Sequence, residues 1–135
     1  PIENKGEGQT RGNSGIFFQG RYEVQVLNSY QNSTYPDGQA GSIYKQYIPQ
    51  VNSMRPTGEW QVYDIVFNAP KYNNNGDIIK SGSFTVFHNG VLIQNNVEIK
   101  RPTMSIEKAT RKTLMLQDHD KNGTVSYRNI WVRKI

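Results

Sequence analysis

The sequence predicts an all-β protein, an antiparallel β-sandwich or jelly roll. Three observations predict this class: apolar and polar residues alternate over short runs, Gly, Pro and Asn-Gly signals separate the runs, and almost no stretch has the 3.6-residue period of an amphipathic helix. Many short strands joined by turns are typical of sandwiches and jelly rolls. A chain of 135 residues suits one domain, so residues 1–135 are interpreted as a single unit.

The first two predicted strands follow a polar arm. The N-terminal fourteen residues are polar and rich in Gly, which predicts a loop. Residues 15–18 and 21–28 then alternate as two short β-runs on either side of Gly20, where a bend or bulge is expected. The loop after them, residues 29–40, contains Pro36-Asp37-Gly38, a combination that favours a chain reversal.

A hairpin is the clearest element of the middle region. Residues 83–88 and 91–99 both read as strands, and Asn89-Gly90 between them suits a type I′ turn because both residue types tolerate positive φ. An irregular stretch over 47–58 and a strand over 60–67 precede this hairpin, and the segment "NNNGD" after that strand predicts the next turn.

The C-terminal region holds a motif that resembles the start of a calcium-binding loop. Residues 118–123 read D-x-D-x-N-G, but position twelve of an EF-hand loop must supply a bidentate carboxylate, and Asn129 stands there. The flanking runs, 114–119 and 125–131, alternate with period two and predict strands, whereas an EF-hand needs two helices. We therefore expect a calcium-free hairpin turn, and only residues 104–111 favour a short helix.

Composition and charge argue against several function classes. The net charge of +5 is modest, and the densest basic cluster, residues 108–112, holds three basic residues in five, so nucleic-acid binding is not predicted. No apolar run approaches 18 residues, so no membrane span is predicted. The chain has no Cys, which excludes disulfides and thiol chemistry. The N-terminus has the character of a cut end and carries no signal peptide.

Strand alternation also sorts polar side chains onto one face. In the segment 21–26 the even positions are apolar, so Arg21, Glu23 and Gln25 point the other way. Aromatic rings stack on sugars, and charged or amide groups bind sugar hydroxyls, so such a face favours a carbohydrate-binding cleft. An ordinary solvated sheet face is the alternative. Further side chains that the pattern places on a polar face are Trp60, Asp64, Gln117 and His119.

Several blocks of the chain closely resemble one known family. The blocks are "GNSGIFFQGRYEVQVLNSY", "TYPDGQAGSIYKQY", "GEWQVYDIVFNAP", "FTVFHNGVLIQNNVEI" and "LQDHDKNGTVSYRNIWVR". In order and together, they resemble the 3-keto-disaccharide hydrolase family, long known as the domain of unknown function 1080. The resemblance implies a concanavalin A-like jelly roll that bacteria export, and hence a periplasmic or extracellular location.

The resemblance also implies that N-terminal strands are missing, and the chain differs from the family pattern at two positions. Family members carry several strands before the "GNSGI" block, so the chain is expected to be the C-terminal part of such a domain. The remaining strands would then come from the same gene, from another chain or from a second copy. The family commonly has Asp where this chain has Asn28, and often His where it has Asn96. Both changes put any role of those positions in catalysis or metal binding in doubt.

The family chemistry defines the catalytic candidates. A ketone at sugar C3 acidifies the C2 proton, so a base can remove that proton and expel the C1 substituent, after which water adds back. Glu23 is the leading base or metal ligand, and His119 is an acid–base group or metal ligand. A divalent metal could act as the Lewis acid. The alternatives are a surface carboxylate paired with an Arg for Glu23, and a turn histidine for His119; His88 is expected to be structural.

Carbohydrate is the expected ligand. Glu23 and His119 are expected to lie on the same concave face, and Glu23 is expected to be at least half exposed. A non-catalytic carbohydrate-binding module is the alternative function, because sandwiches host both. Asp64 could instead pair with Arg128, and Trp60 could simply pack. The predicted substrate-binding residues are Arg21, Gln25, Tyr44, Lys45, Trp60, Asp64, Gln117 and Arg128.

Overall fold

Eight antiparallel β-strands build the part of the chain that the structure describes. The computed structural model describes residues 5–104, 113–119 and 124–135. Within these ranges the strands form two three-stranded sheets and one two-stranded ribbon, which confirms the all-β prediction. The strands are β1 Ser14–Phe18, β2 Tyr22–Val26, β3 Tyr63–Asn68, β4 Lys71–Tyr72, β5 Ile78–Lys80, β6 Ser83–His88, β7 Val91–Glu98 and β8 Leu114–Leu116. Two short 3-10 turns cover Gly8–Thr10 and Pro36–Gly38.

The first sheet has the strand order β2-β1-β8. Strands β1 and β2 form a hairpin in which Gln19 and Gly20 have φ of 54° and 65°, so the bend expected at Gly20 is the hairpin turn itself. Ile16 lies opposite Val24 on one side and opposite Leu116 on the other. Residues directly opposite share a face, so this register fixes which side chains of the three strands lie together.

The second sheet has the order β3-β6-β7 and contains the predicted hairpin. Asn89 and Gly90 have φ of 53° and 80°, the left-handed values that a type I′ turn requires, so that prediction is confirmed. The predicted turn at "NNNGD" is also confirmed, because the Asn73 amide donates to the Asp77 carbonyl at 2.9 Å between β4 and β5.

The core fills the space between the two sheets. Tyr22 and Val24 of β2 are buried in one cluster with Phe84 and Val86 of β6. The even face of β2 therefore points at the second sheet, and the odd face, with Glu23, points away from it. Aromatic rings consolidate this contact, since Phe84 lies 5.3 Å from the ring of Phe18 and 5.0 Å from that of Phe67.

Strand β3 starts later than the alternation predicts. The run was expected to begin at Trp60, but the strand begins at Tyr63. The Val62 amide donates to the side-chain oxygen of Asn89 at 2.9 Å, and the Gln61 side chain accepts from the Arg55 amide at 2.9 Å. Side-chain bonds thus hold these residues together with one backbone bond, which the Asn89 amide donates to the Val62 carbonyl at 2.8 Å.

The predicted strand over 125–131 is wrong, because residues 124–135 contain no strand. Alternation needs a neighbouring backbone to become a strand, and none of the described strands lies beside this segment. Side chains anchor it instead: the hydroxyls of Tyr127 and Ser14 are 2.6 Å apart. The predicted turn at 118–123 and the short helix at 104–111 fall largely outside the described residues and stay predictions.

An open apolar cleft of about 1210 Å³ lies between the two sheets, beside β8 and β3. Each of these strands is at the edge of its sheet. Trp131, at the cleft, is 90% exposed. The cleft is lined from both sheets by Ile16, Phe18, Leu114, Leu116, Ile65 and Phe67. Side chains of this kind belong in a core, so the described strands bury only part of the apolar surface that their alternation creates.

Candidate active site

Glu23 is buried in the middle of β2, on the face that points away from the second sheet. Its side chain is 5% exposed, and it lies opposite Phe17 of β1, which is 1% exposed. The expectation that Glu23 is at least half exposed is therefore wrong. The reason is tertiary: the segment that follows β2 turns back along it, and the Tyr44 amide donates to the Glu23 carbonyl at 3.3 Å.

The Glu23 carboxyl has no hydrogen bond or ion pair with any residue that the structure describes. Burial without a compensating partner disfavours the charged form, and it raises the pKa of Glu23 from 4.5 to about 7. A carboxyl with this pKa exchanges its proton near neutral pH, which is the property of a general base or acid.

An amide network holds the neighbouring side chains and turns their donors away from Glu23. Gln25, which is 1% exposed, donates through Nε2 to Asn13 Oδ1 at 3.0 Å and to Gln9 Oε1 at 3.5 Å. Asn13 donates to the Gln9 carbonyl at 2.8 Å, and Gln9 donates to the Gly38 carbonyl at 2.9 Å. Because both protons of the Gln25 amide are used, neither is free to stabilise the Glu23 carboxylate.

Two buried polar atoms on this face have no hydrogen-bond partner among the described residues. They are Arg21 Nε and Gln117 Oε1. The Gln117 amide donates to the Gly15 carbonyl at 2.9 Å, which extends the pairing of β8 along β1 and places Gln117 next to Gly15. A buried donor and a buried acceptor without partners are suited to a ligand or to water, because a native protein rarely leaves such groups unsatisfied.

A rim of aromatic and charged residues borders the Glu23 face. The hydroxyls of Tyr35 and Tyr44 are 2.7 Å apart, and Lys45 Nζ lies 3.3 Å from the centre of the Tyr35 ring. Lys45 also pairs with Asp37 at 3.5 Å. The pKa of Tyr35 is raised by burial, by its hydrogen bond to Tyr44 and, to a smaller degree, by the negative charges of Asp37 and Glu23. Tyr44 and Lys45 thus belong to one polar cluster with Tyr35 and Asp37, and their role in substrate binding stays a prediction.

The structure does not bring Trp60, Asp64 and Arg128 to this face. Asp64 is exposed in β3 of the second sheet, opposite Phe87. Trp60 and Arg128 line the apolar cleft, where the Arg128 guanidinium lies 3.8 Å from the centre of the Trp60 ring. Arg128 therefore stacks on one face of the Trp60 ring, and the alternative pairing of Arg128 with Asp64 is not formed.

His119 is exposed and follows β8 in the same odd series as Met115 and Gln117. Met115 lies opposite Phe17, on the Glu23 face, so the parity of position 119 agrees with the expected location. A common face for Glu23 and His119 stays a prediction.

His88 has the structural role that was expected. It is fully buried, its Nδ1 lies 3.0 Å from the Ser53 hydroxyl, and its ring stacks on Tyr63 with centroids 4.4 Å apart. Burial, assisted by the positive charge of Arg55, lowers the pKa of His88 from 6.5 to about 4. His88 is therefore neutral in the folded protein near pH 7.

The neutral His88 is expected to make the fold sensitive to acid. The unfolded chain binds this proton at a higher pH than the folded chain does, so stability is lost as the pH falls below 6.5 toward 4. The free energy of unfolding of the wild type, taken relative to His88→Leu, should fall by about 2 kcal/mol between pH 7 and pH 5. Urea titrations at the two pH values measure this difference, and an unchanged difference would contradict the assignment.

The two positions that depart from the family pattern have different surroundings. Asn28 is buried, and its side-chain nitrogen donates to the Thr57 hydroxyl at 2.9 Å. Asn96 is exposed in β7 with φ of 46°, a left-handed value that Asn tolerates better than most residues. Asn28 thus links the loop after β2 to the 47–58 region by a hydrogen bond. Asn96 lies at an irregular point of β7.

Sequence reasoning missed Gly15, Gln9, Asn13 and Tyr35 as parts of the site. A Gly in the interior of a predicted strand signals a close approach by another group, so Gly15 carried a signal that was available. Gln9 and Asn13 lie in the polar arm before β1, where no periodicity marks a face. Only the tertiary fold shows that they contact Gln25.

The described residues do not bring three or more His, Asp or Glu side chains together as a metal-binding group. The divalent metal that the resemblance allows stays a prediction.

In the part of the chain that the structure describes, no helix has the length and hydrophobicity needed to cross a membrane.

Comparison with known proteins identifies the family. The model of the 3-keto-alpha-glucoside-1,2-lyase-like domain matches residues 2–133. The crystal structure of a candidate glycosyl hydrolase from Parabacteroides distasonis ATCC 8503 is 48% identical, with a TM-score of 0.79. That match covers 88% of this chain and 52% of the other, so the chain spans about half the length of the solved structure. No curated protein matches the chain. The family resemblance is confirmed: the chain belongs to the 3-keto-alpha-glucoside-1,2-lyase-like domain family.

Proposed function

We propose that this domain cleaves 3-keto-glycosides by elimination, with Glu23 as the base that removes the proton from sugar C2. The observation that carries the proposal is the buried Glu23 carboxyl, which has a pKa of about 7 and no hydrogen bond or ion pair among the described residues. The family description, a 1,2-lyase of 3-keto-alpha-glucosides, supports elimination across C1 and C2.

The reaction needs one proton acceptor and one site for negative charge. The Glu23 carboxylate takes the C2 proton, and the electron pair of the broken C–H bond moves toward the C3 carbonyl to give an enolate. The C3 carbonyl then re-forms, the electron pair of the enolate C2=C3 bond forms the C1=C2 bond, and the C1–O bond breaks with its electrons passing to the leaving oxygen, which is protonated. Water adds across the new C1=C2 bond in a second step, which gives the free 3-keto sugar.

The remaining groups of the site suit substrate binding. Gln117 Oε1 is a buried acceptor without a partner among the described residues, so it fits a sugar hydroxyl that donates, and Arg21 Nε is a buried donor that fits a carbonyl or enolate oxygen. Tyr44 and Lys45 supply a polar rim. His119 is the proposed acid for the leaving oxygen. A periplasmic or extracellular location belongs to the same proposal.

Isotope exchange at C2 tests this function. The substrate is a 3-keto-α-glucoside with deuterium at C2, and the matched control is the same glycoside with an intact C3 hydroxyl. We expect loss of deuterium to solvent and release of the C1 substituent from the keto compound alone. Release without C2 exchange, or equal cleavage of the unoxidised glycoside, would contradict elimination.

We also propose that further β-strands, from the same gene or another chain, cover the apolar cleft. The support is the pair of outer strands β8 and β3 beside a cleft of about 1210 Å³, together with a longer solved relative of which the match covers 52%. The 135-residue chain by itself should therefore bind a dye for apolar surface, such as ANS, or self-associate. A monodisperse monomer that melts cooperatively and binds no dye would contradict this proposal.

A further inference from the structure

The Glu23 carboxyl lies directly over Gly15 of the neighbouring strand. A Cβ atom built on Gly15 would meet Glu23 Oε1 at 2.5 Å and Glu23 Cδ at 3.0 Å. It would also meet Phe17 Cε2 at 2.7 Å. Distances this short do not occur for real Cβ atoms, so the position of the carboxyl depends on the missing side chain at residue 15.

Neighbouring side chains restrict the other positions that the Glu23 side chain could adopt. Phe17 lies opposite Glu23 and is 1% exposed, so the packed Phe17 ring limits movement of the Glu23 side chain in that direction. Gln25, which lies opposite Gly15, is 1% exposed and is held by its bonds to Asn13 and Gln9. We expect a carboxyl displaced from Gly15 to move away from the sheet and to gain contact with water.

We propose that Gly15 is a positioning residue that lets the Glu23 carboxyl cross from β2 over β1 and remain desolvated there. The catalytic part rests on the proposed function, because it takes Glu23 as the base. The geometric part is independent of it, because the location of the carboxyl is measurable without turnover. In this role Gly15 controls how well the base is placed, since a shift of about 1 Å in a reacting group can cost on the order of 100-fold in rate.

Gly15→Ala tests the proposal through the ionisation of Glu23. We expect the pKa of the Glu23 carboxyl, followed by carbon-13 NMR, to fall from about 7 toward the ordinary 4.5, because the displaced group gains water. The lower limb of the pH–rate profile should move with it. With a 3-keto-glycoside as substrate, kcat should fall at least about 10-fold, and KM should change by less than about 3-fold.

Gly82→Ala is a matched control for general crowding. A Cβ at Gly82 would meet the Asn68 carbonyl oxygen at 2.7 Å, Pro70 Cδ at 2.8 Å and Ile99 Cδ1 at 2.9 Å, so the crowding is similar but involves none of the Glu23 neighbours. We expect Gly82→Ala to lower the melting temperature and to leave the pKa of Glu23 and kcat unchanged. Equal shifts of the Glu23 pKa in both variants would overturn the proposal.

A double-variant cycle keeps the test valid if Gly15→Ala folds poorly. Removing the carboxyl with Glu23→Ala should relieve part of the crowding, so Gly15→Ala should lower the melting temperature less in that background than in the wild type. Equal losses in both backgrounds, or a folded Gly15→Ala with unchanged Glu23 pKa and kcat, would overturn the proposal. If Glu23→Gln keeps full activity while Gly15→Ala shifts the pKa of Glu23, the proposed function fails and the positioning stands.

Discussion

Glu23→Gln is expected to lower the turnover of a 3-keto-glycoside by on the order of 100-fold or more. Gln has nearly the shape of Glu and fits the same buried position, but its amide cannot accept the C2 proton. The loss should appear in kcat and in kcat/KM alike, because the proton is transferred only in the transition state. In the wild type, kcat/KM should rise with pH and level off above about 7, the pKa of the Glu23 carboxyl.

Glu98→Gln is the matched control for this substitution. Glu98 ends β7 and is exposed, so the same change of charge is made outside the Glu23 face. We expect Glu98→Gln to keep wild-type turnover and the same pH profile. Full activity in Glu23→Gln would remove Glu23 as the base and leave the non-catalytic carbohydrate-binding module as the better interpretation of the polar face.

Local patterns predicted the elements whose pairing is also local. The β6–β7 hairpin follows from alternation on both sides of Asn89-Gly90, and its two strands are consecutive in sequence, paired from His88 with Val91 to Ser83 with Glu98. The run over 125–131 alternates just as clearly, yet it forms no strand, because its side chains contact Ser14 and Trp60 while no described strand runs beside it. Alternation reports that a segment can pair, but the presence of a partner is a property of the whole fold.

The sequence predicted the strand face on which the candidate site residues lie, but it did not predict how deeply they are buried. Alternation placed Arg21, Glu23 and Gln25 on one face, and the register confirms that Glu23 and Gln25 point away from the core. Burial of Glu23 depends on contacts from distant segments, which periodicity does not encode. Asp64 shows the second limit: parity puts it on a polar face, but that face belongs to the other sheet.

The same variant, Glu23→Gln, is expected to stabilise the fold above neutral pH. The folded-state pKa of Glu23, about 7, lies above its ordinary value of 4.5, so the folded protein binds the proton more tightly than the unfolded chain does. The stability that this group contributes is fully present below pH 4.5 and is lost as the pH rises through 7. With about 1.4 kcal/mol per pKa unit, the wild type should lose about 3 kcal/mol by pH 8.

Gln carries no charge at any pH, so Glu23→Gln avoids this loss. Relative to the wild type, the variant should gain about 3 kcal/mol in the free energy of unfolding between pH 4 and pH 8, as measured by urea denaturation across that range. The opposite pH dependence from His88 is common to both proteins and cancels in their difference. A variant that gains stability while it loses turnover would show that the buried carboxyl is kept for chemistry at a cost to the fold. A difference that stays constant from pH 4 to pH 8 would show that the folded protein does not hold Glu23 in a desolvated state.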